Sequence, residues 1–297
     1  MRVARDRFSL FGFEEEKKMK KTLIGFTAAA LLFAGCASSG TDTSSTDSDK
    51  KTFTVGMECG YAPFNWQTTD QTDTSVALDQ EGAGYCDGYD VMMAKNIADN
   101  LGQDVVIKKI SWDGLQPALE SGEIDAIIAG MTASDEREEG IDFTTPYYES
   151  EGMVMIVKKG SEQEGYTDIQ QFSGQPVIGQ KNTNYDTVID QIDGVIHVTP
   201  KGNYPELVVA LQNGDAVGIT AEMPVAEGVV AANPDLTIVK FEDGKGFDVD
   251  TTVSIGLKND TRDTDYFKAV QAALDKISTD TRNDYMKKAV ETAPAGE

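Results

Sequence analysis

Residues 89–109, YDVMMAKNIADNLGQDVVIKK, decide the fold of this chain because they join a helix pattern to a strand pattern. Apolar residues recur at helical spacing along Tyr89–Leu101, and Gly102 provides the stop. The β-rich segment Val105–Lys109 follows the helix, and another, Thr52–Met57, precedes it. A strand–helix–strand order is typical of a parallel sheet, so the chain is predicted to be an α/β protein.

The same alternation continues beyond residue 109 and is then repeated in a second unit. We expect a helix at Leu115–Glu120 and a strand at Ala126–Ala129 in the first unit. Residues 175–241 form the second unit, which has the same alternating pattern. Its elements are a strand at Val177–Gly179, a helix from Tyr185, a helix at Tyr204–Gln212, a strand at Val217–Thr220 and a helix from Val225.

Two extended apolar segments, Gly152–Lys159 and Thr251–Leu257, flank the second unit. We expect them to be hinge strands that cross between two lobes. Helices at Thr264–Ser278 and Arg282–Val290 are predicted to close the chain. The predicted boundaries are 52–150 plus 252–292 for lobe 1 and 159–248 for lobe 2.

The N-terminal region has the pattern of an export signal. Met19-Lys20-Lys21 is a charged start, Leu23–Phe33 is a short apolar run, and Ala34-Gly35-Cys36 is a small-residue cleavage site. The apolar run is too short to span a bilayer as a permanent helix. Residues 1–35 are therefore predicted to be a signal region, with Met19 as its true start because the acidic residues 14–16 fit no part of a signal.

Cys36 is the expected site of a lipid anchor, because an Ala-Gly-Cys ending resembles the signal of bacterial lipoproteins. In such proteins the cysteine is acylated and becomes the mature N-terminus. Residues 36–51 are rich in Ser, Thr and Asp, which predicts a solvated tether after the lipidated cysteine. The alternative is an ordinary secretory signal that ends beside an incidental cysteine.

The charge of the chain excludes several kinds of partner. Its formal net charge is −24, which repels nucleic acid and anionic lipid, so no nucleic-acid partner is expected. Three arginines lie beyond Cys36, and two of them, Arg262 and Arg282, belong to the C-terminal helical stretch. Arg137 is therefore isolated among acidic neighbours.

The cysteines favour a structural role over a chemical one. If Cys36 carries lipid, Cys59 and Cys86 remain as a pair, and an even remainder in an oxidising compartment favours a disulfide. The alternative is two buried thiols. The only histidine, His197, lies in a separate segment, so no cysteine–histidine pair is expected. The acidic pairs lack the spacing of a calcium loop, and we expect no metal, cofactor or enzymatic activity.

An ordered series of short motifs carries a family resemblance across residues 52 to about 292. The chain resembles the family 3 solute-binding proteins of bacteria, which are polar-amino-acid receptors of ABC importers. The resemblance implies a two-lobed type II periplasmic-binding-protein fold, acting as a monomer, that closes on one free L-amino acid and delivers it to a membrane permease. The motifs are residues 56–66 (GMECGYAPFNW), 88–91 (GYDV), 112–115 (WDGL), 122–126 (GEIDA), 130–132 (GMT) with Arg137, and 142–148 (DFTTPYY).

The resemblance places Arg137 and Thr132 on the ligand's carboxylate, which suits the planar fork of a guanidinium. Asn182 occupies a turn position where the family has Gly, and Asn tolerates a positive φ. Thr183 and Asn184 would reach the same carboxylate from the second lobe. The alternatives are a surface Arg137 paired with neighbouring glutamates, and an N-cap at the turn, although a helix start also binds anions.

The same resemblance assigns the rest of the ligand. Glu222 and the carbonyl oxygen of Gly130 would hold the ammonium group, with the alternative that Glu222 only leads into a helix. Tyr61 and Trp112 would sandwich the side chain, unless they are core residues. Glu58 follows the first strand, where parallel α/β sheets place ligand groups, and would meet a cationic side chain. The alternative is that Glu58 is one bystander on a highly acidic surface.

The sequence therefore predicts the substrate-binding component of an ABC importer, carrying arginine or lysine. A glutamine or other polar amino-acid receptor of the same type is the first alternative. A small-acid dehydratase on the same fold is a second, since fold does not fix function. A sensory domain is a third, although it would need an output segment.

Cys36→Ala tests the predicted anchor. The variant should move from the membrane fraction to the soluble fraction of the expressing bacterium, because one residue carries all of the acyl chains. Ligand affinity should not change, since the tether separates the anchor from the binding lobes. Fractionation followed by immunoblotting measures the first effect. A soluble distribution of the unmutated protein would refute lipidation.

Overall fold

The structure is a computed structural model that describes residues 51–80 and 82–294. The predicted signal region, Cys36 and the predicted tether up to residue 50 lie outside the described residues. In the described part of the chain, no helix is long and apolar enough to cross a membrane.

The described residues form sixteen strands, eight α-helices and three short 3-10 helices. The strands are β1 (Thr52–Met57), β2 (Gly60–Tyr61), β3 (Asn65–Thr68), β4 (Val76–Ala77), β5 (Tyr85–Asp87), β6 (Asp104–Lys109), β7 (Ala126–Ile127), β8 (Ile141–Phe143), β9 (Tyr148–Glu149), β10 (Met153–Lys158), β11 (Pro176–Ile178), β12 (Ile196–His197), β13 (Gly218–Glu222), β14 (Leu236–Val239), β15 (Thr252–Val253) and β16 (Gly256–Lys258). The α-helices are α1 (Tyr89–Leu101), α2 (Trp112–Ser121), α3 (Asp135–Glu138), α4 (Asn184–Thr187), α5 (Tyr204–Asn213), α6 (Met223–Ala232), α7 (Asp265–Asp275) and α8 (Thr279–Thr292). The 3-10 helices are Glu162–Gly165, Ile169–Phe172 and Val188–Gln191.

The first sheet has the order β6–β1–β7–β16–β8. Strand β1 pairs in parallel with both β6 and β7, as the strand–helix–strand pattern predicted. Helix α1 ends at Gly102, which adopts a left-handed conformation with φ 68°, as expected for a helix stop. The sheet also contains a strand that this pattern did not cover, because β16 enters antiparallel to β7 and β8 after the chain returns from the second sheet.

The second sheet has the order β12–β11–β13–β10–β14. Strands β12, β11 and β13 run parallel, and β10 runs antiparallel to β13 and β14. Gly152–Lys159 is therefore not a hinge strand, because Met153–Lys158 is an inner strand of this sheet. The first five residues of that strand are all buried, and such an apolar run would lose its burial in a connection that crosses between lobes.

We call the part of the chain built on the first sheet the first half and the part built on the second sheet the second half. The chain crosses between them through a short pair of antiparallel strands. Strand β9 pairs with β15 through Thr252 opposite Glu149 and Val253 opposite Tyr148. The predicted hinge strand Thr251–Leu257 thus divides into β15, which belongs to the crossing, and β16, which belongs to the first sheet. The fold class is confirmed as two lobes joined by two hinge strands, while the exact lobe boundaries stay a prediction.

Helices cover the two sheets and place the chain segments that follow each strand. Helices α1 and α2 pack on β1, and α7 and α8 pack against α1. Helices α5 and α6 pack on β13 in the second half. Helix α2 begins three residues earlier than predicted, so Trp112 is its first residue. Most of the residues that the sequence singled out for binding follow the carboxyl ends of β1, β6, β7 and β11, and Glu222 is the last residue of β13.

A smaller sheet, β2–β3–β5–β4, lies beside the first sheet and is tied to it covalently. A disulfide joins Cys59, just after β1, to Cys86 in β5, which confirms the favoured reading of the two cysteines. Both residues are buried. The bridge fixes the segment that contains Glu58 and Tyr61.

Replacing both cysteines by alanine should destabilise the protein. The bridge closes a span of 27 residues, for which loop entropy predicts a loss of about 3 kcal/mol in the free energy of unfolding. Urea denaturation followed by circular dichroism measures it. The reduced wild-type protein is the control and should unfold at a similar urea concentration. An unchanged midpoint in the double variant would contradict the prediction.

Candidate functional site

A narrow cleft, with an internal cavity of about 20 Å³, lies where the two halves meet. Eight of the nine residues predicted to bind a ligand line it. They are Glu58, Tyr61, Trp112, Gly130, Thr132, Arg137, Thr183 and Asn184. The cleft is also lined by Met153, Gln180, Tyr185, Asp250 and Thr251, which the sequence did not single out.

Glu58 directly follows β1, so its half-buried carboxyl faces the cleft from the first half. Burial raises its pKa to about 7, and the nearby Asp113 acts in the same direction. A side-chain hydrogen bond from Gln180 and a backbone hydrogen bond from Trp112 oppose that shift. Gln180 belongs to the other half, and its Nε2 donates to both Glu58 oxygens at 3.2 and 3.3 Å. Glu58 therefore lies in the cleft and not on the open surface, and its role toward a ligand stays a prediction.

Arg137 lies on the short helix α3 and turns its guanidinium into the cleft. The guanidinium carbon lies 5.1 Å from the ring centroid of Trp112, which is cation–π distance. Nη1 donates to the carbonyl oxygen of Thr132 at 2.7 Å, and Nη2 donates to that of Asn182 at 3.2 Å. Among the described residues, Arg137 forms no ion pair with the glutamates beside it, and Glu138 pairs with Arg262 instead.

The turn after β11 carries residues of the second half that line the cleft. Asn182 has φ 59°, which confirms the expectation that this position requires a residue tolerant of the left-handed region. Thr183 is buried, and its hydroxyl accepts from the backbone N–H of Tyr185 at 3.2 Å, so it caps helix α4. Helix α4 is a single turn. Thr183 and Asn184 line the cleft at its start.

Gly130 follows β7 and lies close to Tyr61. Its φ is 61°, and a Cβ at this position would lie 2.9 Å from Cε1 of Tyr61, so a side chain here would collide with the ring. The backbone N–H of Gly130 donates to the hydroxyl of Tyr147 at 3.1 Å, and that hydroxyl donates to Asp90 at 2.6 Å. A buried network therefore fixes the backbone at the floor of the cleft.

Glu222 does not line the cleft, unlike the other predicted residues. It ends β13, is 1 % exposed, and its Oε1 accepts from the hydroxyl of Tyr61 at 2.7 Å and from that of Tyr185. Burial raises its pKa to about 7, while the hydrogen bonds from Tyr185 and Tyr61 oppose the shift. The carboxyl thus lies behind two phenol groups, and its role toward an ammonium group stays a prediction.

Several contacts join the two halves directly. Trp112 Nε1 donates to the carbonyl oxygen of Asn182 at 3.0 Å. Lys181 Nζ lies 2.8 Å from Asp113 Oδ2, and Asn182 Nδ2 donates to Asp113 Oδ1 at 2.7 Å. The two lobes are therefore closed on each other. Sequence reasoning missed these partners because a turn residue facing another lobe leaves no periodic pattern.

The described residues contain no group of three histidine, cysteine or acidic side chains placed to hold a metal ion. The cleft instead combines the guanidinium of Arg137, the carboxyls of Glu58 and Asp250, hydroxyl groups and aromatic rings. Such a set of groups binds a small zwitterion by hydrogen bonds and charge.

Comparisons with known proteins agree with this geometry. The model of the family "Bacterial extracellular solute-binding proteins, family 3" matches residues 53–291. A probable histidine-binding protein of Campylobacter jejuni is 29% identical over 235 residues, covering 77% of this chain and 85% of that protein. The glutamine-binding protein GlnH of Bacillus subtilis is 29% identical over 273 residues, covering 90% of this chain and 95% of that one.

A solved structure of an amino-acid-binding protein is also similar to this chain. The amino acid ABC transporter substrate-binding protein AbpA of Streptococcus pneumoniae, bound to L-arginine, is similar with a TM-score of 0.69 and 26% identity. That alignment covers 82% of this chain and 95% of AbpA. The motif series, the two-lobed fold and the family match over most of the chain agree, and the chain therefore belongs to the bacterial extracellular solute-binding proteins of family 3.

Proposed function

We propose that this protein is the substrate-binding component of an ABC importer and that its ligand is a dibasic L-amino acid, arginine or lysine. The observation that carries the proposal is the charge pattern at the cleft. Among the described residues that line it, Arg137 is the one cation, whereas Glu58 and the exposed Asp250 are acidic, and Glu222 lies directly behind the cleft. Asp250 already accepts a hydrogen bond from the backbone N–H of Thr252 at 2.8 Å, so Glu58 and Glu222 are the two carboxyls buried beside the ligand position. A dibasic amino acid has the complementary pattern of one negative and two positive groups.

The guanidinium of Arg137 is prepared for a carboxylate. Of its five N–H groups, one on Nη1 and one on Nη2 donate to carbonyl oxygens, which leaves three for a ligand. Trp112 covers one face of the guanidinium and holds its plane. Thr132, Thr183 and Asn184 line the same part of the cleft and would complete the carboxylate site.

Glu58 and Glu222 would take the two cationic ends of the ligand. Glu222, with the carbonyl oxygen of Gly130, would hold the α-ammonium once the tyrosine hydroxyls make room. Glu58 would meet the side-chain cation. A buried carboxylate without a cation costs several kcal/mol by order of magnitude, so a ligand that supplies both cations stabilises the closed form. Tyr61 would flank the alkyl part of the ligand, opposite Trp112.

A neutral ligand such as glutamine is the second candidate, and one contact favours it. Gln180 already donates to both oxygens of Glu58, and at a pKa of about 7 this carboxyl is readily protonated. A protonated Glu58 would need no cation. Relatives named for glutamine, histidine, arginine and L-cystine show that the family scaffold accepts different side chains.

The setting of the protein is part of the same proposal. We infer a monomer outside the cell membrane, anchored through acylated Cys36, that presents its closed form to an ABC permease. The β9–β15 crossing would absorb the rotation between lobes 52–150 plus 252–292 and 159–248. No catalytic role is proposed for the cleft.

Arg137→Ala should abolish amino-acid binding while the protein stays folded. The bidentate partner of an enclosed carboxylate is lost, at a cost on the order of 2–5 kcal/mol, or at least about 30-fold in affinity. Isothermal titration calorimetry measures it. Arg262→Ala is the matched control, because Arg262 pairs with Asp142 and Glu138 away from the cleft. Near-native affinity of Arg137→Ala would remove this residue from the site.

Glu58→Gln tests the choice of ligand. The wild type should prefer arginine or lysine in a calorimetric comparison with glutamine, histidine and cystine. Glu58→Gln should weaken arginine binding by roughly 10–100-fold through loss of one charge-assisted contact. Glutamine binding should hold or improve.

Glu123→Gln is the control for that experiment, because Glu123 is an exposed glutamate of the same half that pairs with Lys108. A wild type that prefers glutamine would refute the dibasic ligand, as would a Glu58→Gln variant with unchanged arginine affinity. The amino-acid receptor would survive either result.

A further inference from the structure

Three oxygen atoms from both halves of the protein meet behind the cleft. The hydroxyls of Tyr61 and Tyr185 lie 2.7 Å apart, and both contact the same carboxyl oxygen, Glu222 Oε1. Tyr61 comes from the first half, whereas Tyr185 and Glu222 come from the second. We refer to Tyr61, Tyr185 and Glu222 as the interlobe triad.

The protons available to the triad can be counted. Each of its three oxygen pairs is within hydrogen-bond distance, and a hydrogen bond needs one proton between its two oxygens. The two tyrosines supply one proton each. If Glu222 were ionised, both protons would point at its carboxylate, and the two phenol oxygens would face each other at 2.7 Å with no proton between them. A third proton on Glu222 Oε1 completes the ring, because Oε1 then donates to one phenol oxygen and accepts from the other, and the second phenol proton lies between the two tyrosines.

We infer that Glu222 is protonated in the ligand-free closed protein and that an amino acid's α-ammonium group binds in exchange for this proton. The inference rests on the proposed function, because it names the exchange by which the ligand enters that site. The bond that breaks is O–H of the Glu222 carboxyl, and its proton leaves to the buffer. The ammonium group brings its own positive charge, so the buried carboxylate is compensated in the bound state.

The surroundings of Glu222 support a neutral carboxyl. Its second oxygen, Oε2, and the hydroxyl oxygen of Ser150 are both buried without a hydrogen-bond partner at ordinary distance. Ser150 is still close enough to lower the pKa of Glu222, in opposition to burial. An ionised carboxylate would leave that oxygen's charge unsatisfied, at a larger cost than a neutral carbonyl oxygen. Burial accordingly raises the pKa of Glu222 to about 7.

No cation among the described residues offsets Glu222. The titratable side chains around the triad are Tyr204 on α5, Tyr148 on β9, Asp90 on α1 and Arg137 on α3. Tyr204 donates its hydroxyl proton to the carbonyl oxygen of Thr220, and Asp90 further raises the pKa of Glu222. Arg137 acts on Tyr185 but not on Glu222. A ligand is therefore the group left to supply a positive charge.

The exchange fixes the sign of the pH dependence. Below about pH 7 Glu222 holds its proton, so the ammonium group must displace it, and the apparent affinity should fall up to tenfold for each pH unit of acidification. Above about pH 7 the carboxylate is already free of its proton, and this contribution becomes constant.

Calorimetry with L-arginine and L-glutamine at pH 6 and pH 8 tests the exchange, each in two buffers with different ionisation heats. Burial also raises the pKa of Glu58 to about 7, so a proton from Glu58 would add to the proton from Glu222. The Glu58→Gln variant removes this second source of protons. It should release close to one proton per bound ligand at pH 6 and close to none at pH 8. Glu222→Gln should release one proton fewer than the wild type with arginine. Tyr204→Phe, which removes a neighbouring hydroxyl outside the triad, should match the wild type.

Infrared spectroscopy of the ligand-free protein gives a readout that needs no ligand. A carbonyl-stretch band of a protonated carboxyl should be present at pH 6 in the wild type and in Glu58→Gln and should lose intensity in Glu222→Gln. Binding by Glu58→Gln without proton release at pH 6, or an unchanged band in Glu222→Gln, would overturn the exchange and leave the proposed receptor intact. Failure of every amino acid to bind would overturn the proposed function, and the band would then decide the protonation of Glu222 alone.

Discussion

A buried carboxyl group must carry a proton or meet a cation, and this constraint governs the cleft. Glu58 and Glu222 are withdrawn from water where the two halves meet, and burial raises the pKa of each to about 7. The protein compensates them with hydrogen bonds from Gln180, Tyr61 and Tyr185, none of which carries charge. Arg137 lies in the cleft but pairs with neither carboxyl. Without a cationic ligand the closed cleft therefore favours neutral carboxyls at Glu58 and Glu222.

The contacts that close the cleft are not equal in strength. The ion pair of Lys181 with Asp113 is about half exposed on both sides, and such pairs contribute about 0–1 kcal/mol. The triad of Tyr61, Tyr185 and Glu222 is more enclosed, so breaking it would leave buried polar atoms without partners. Closure therefore depends chiefly on the buried contacts of the triad. The exposed pair of Lys181 and Asp113 mainly fixes how the two lobes are oriented when they meet.

Residues that needed a particular chemistry or backbone shape could be predicted from the sequence. Arg137 stood out as an isolated arginine, and Asn182 as a residue suited to a positive φ, which the structure has at 59°. The hinge at Gly152–Lys159 was misplaced, because an apolar β-rich run does not show whether it crosses between lobes or lies inside a sheet. Tyr185 could not be found, since its role arises from a contact with Tyr61 that is 124 positions away.

Strand β16 has a consequence for how the chain assembles. It pairs with β7 at Gly256 and Ile127 and with β8, so it completes the first sheet only after the chain has passed through the second. The second sheet draws all five strands from one continuous stretch, Met153 to Val239. Contacts of such large sequence separation form slowly, because loop closure precedes their gain. The second sheet can thus be complete during synthesis while the first still awaits its last inner strand.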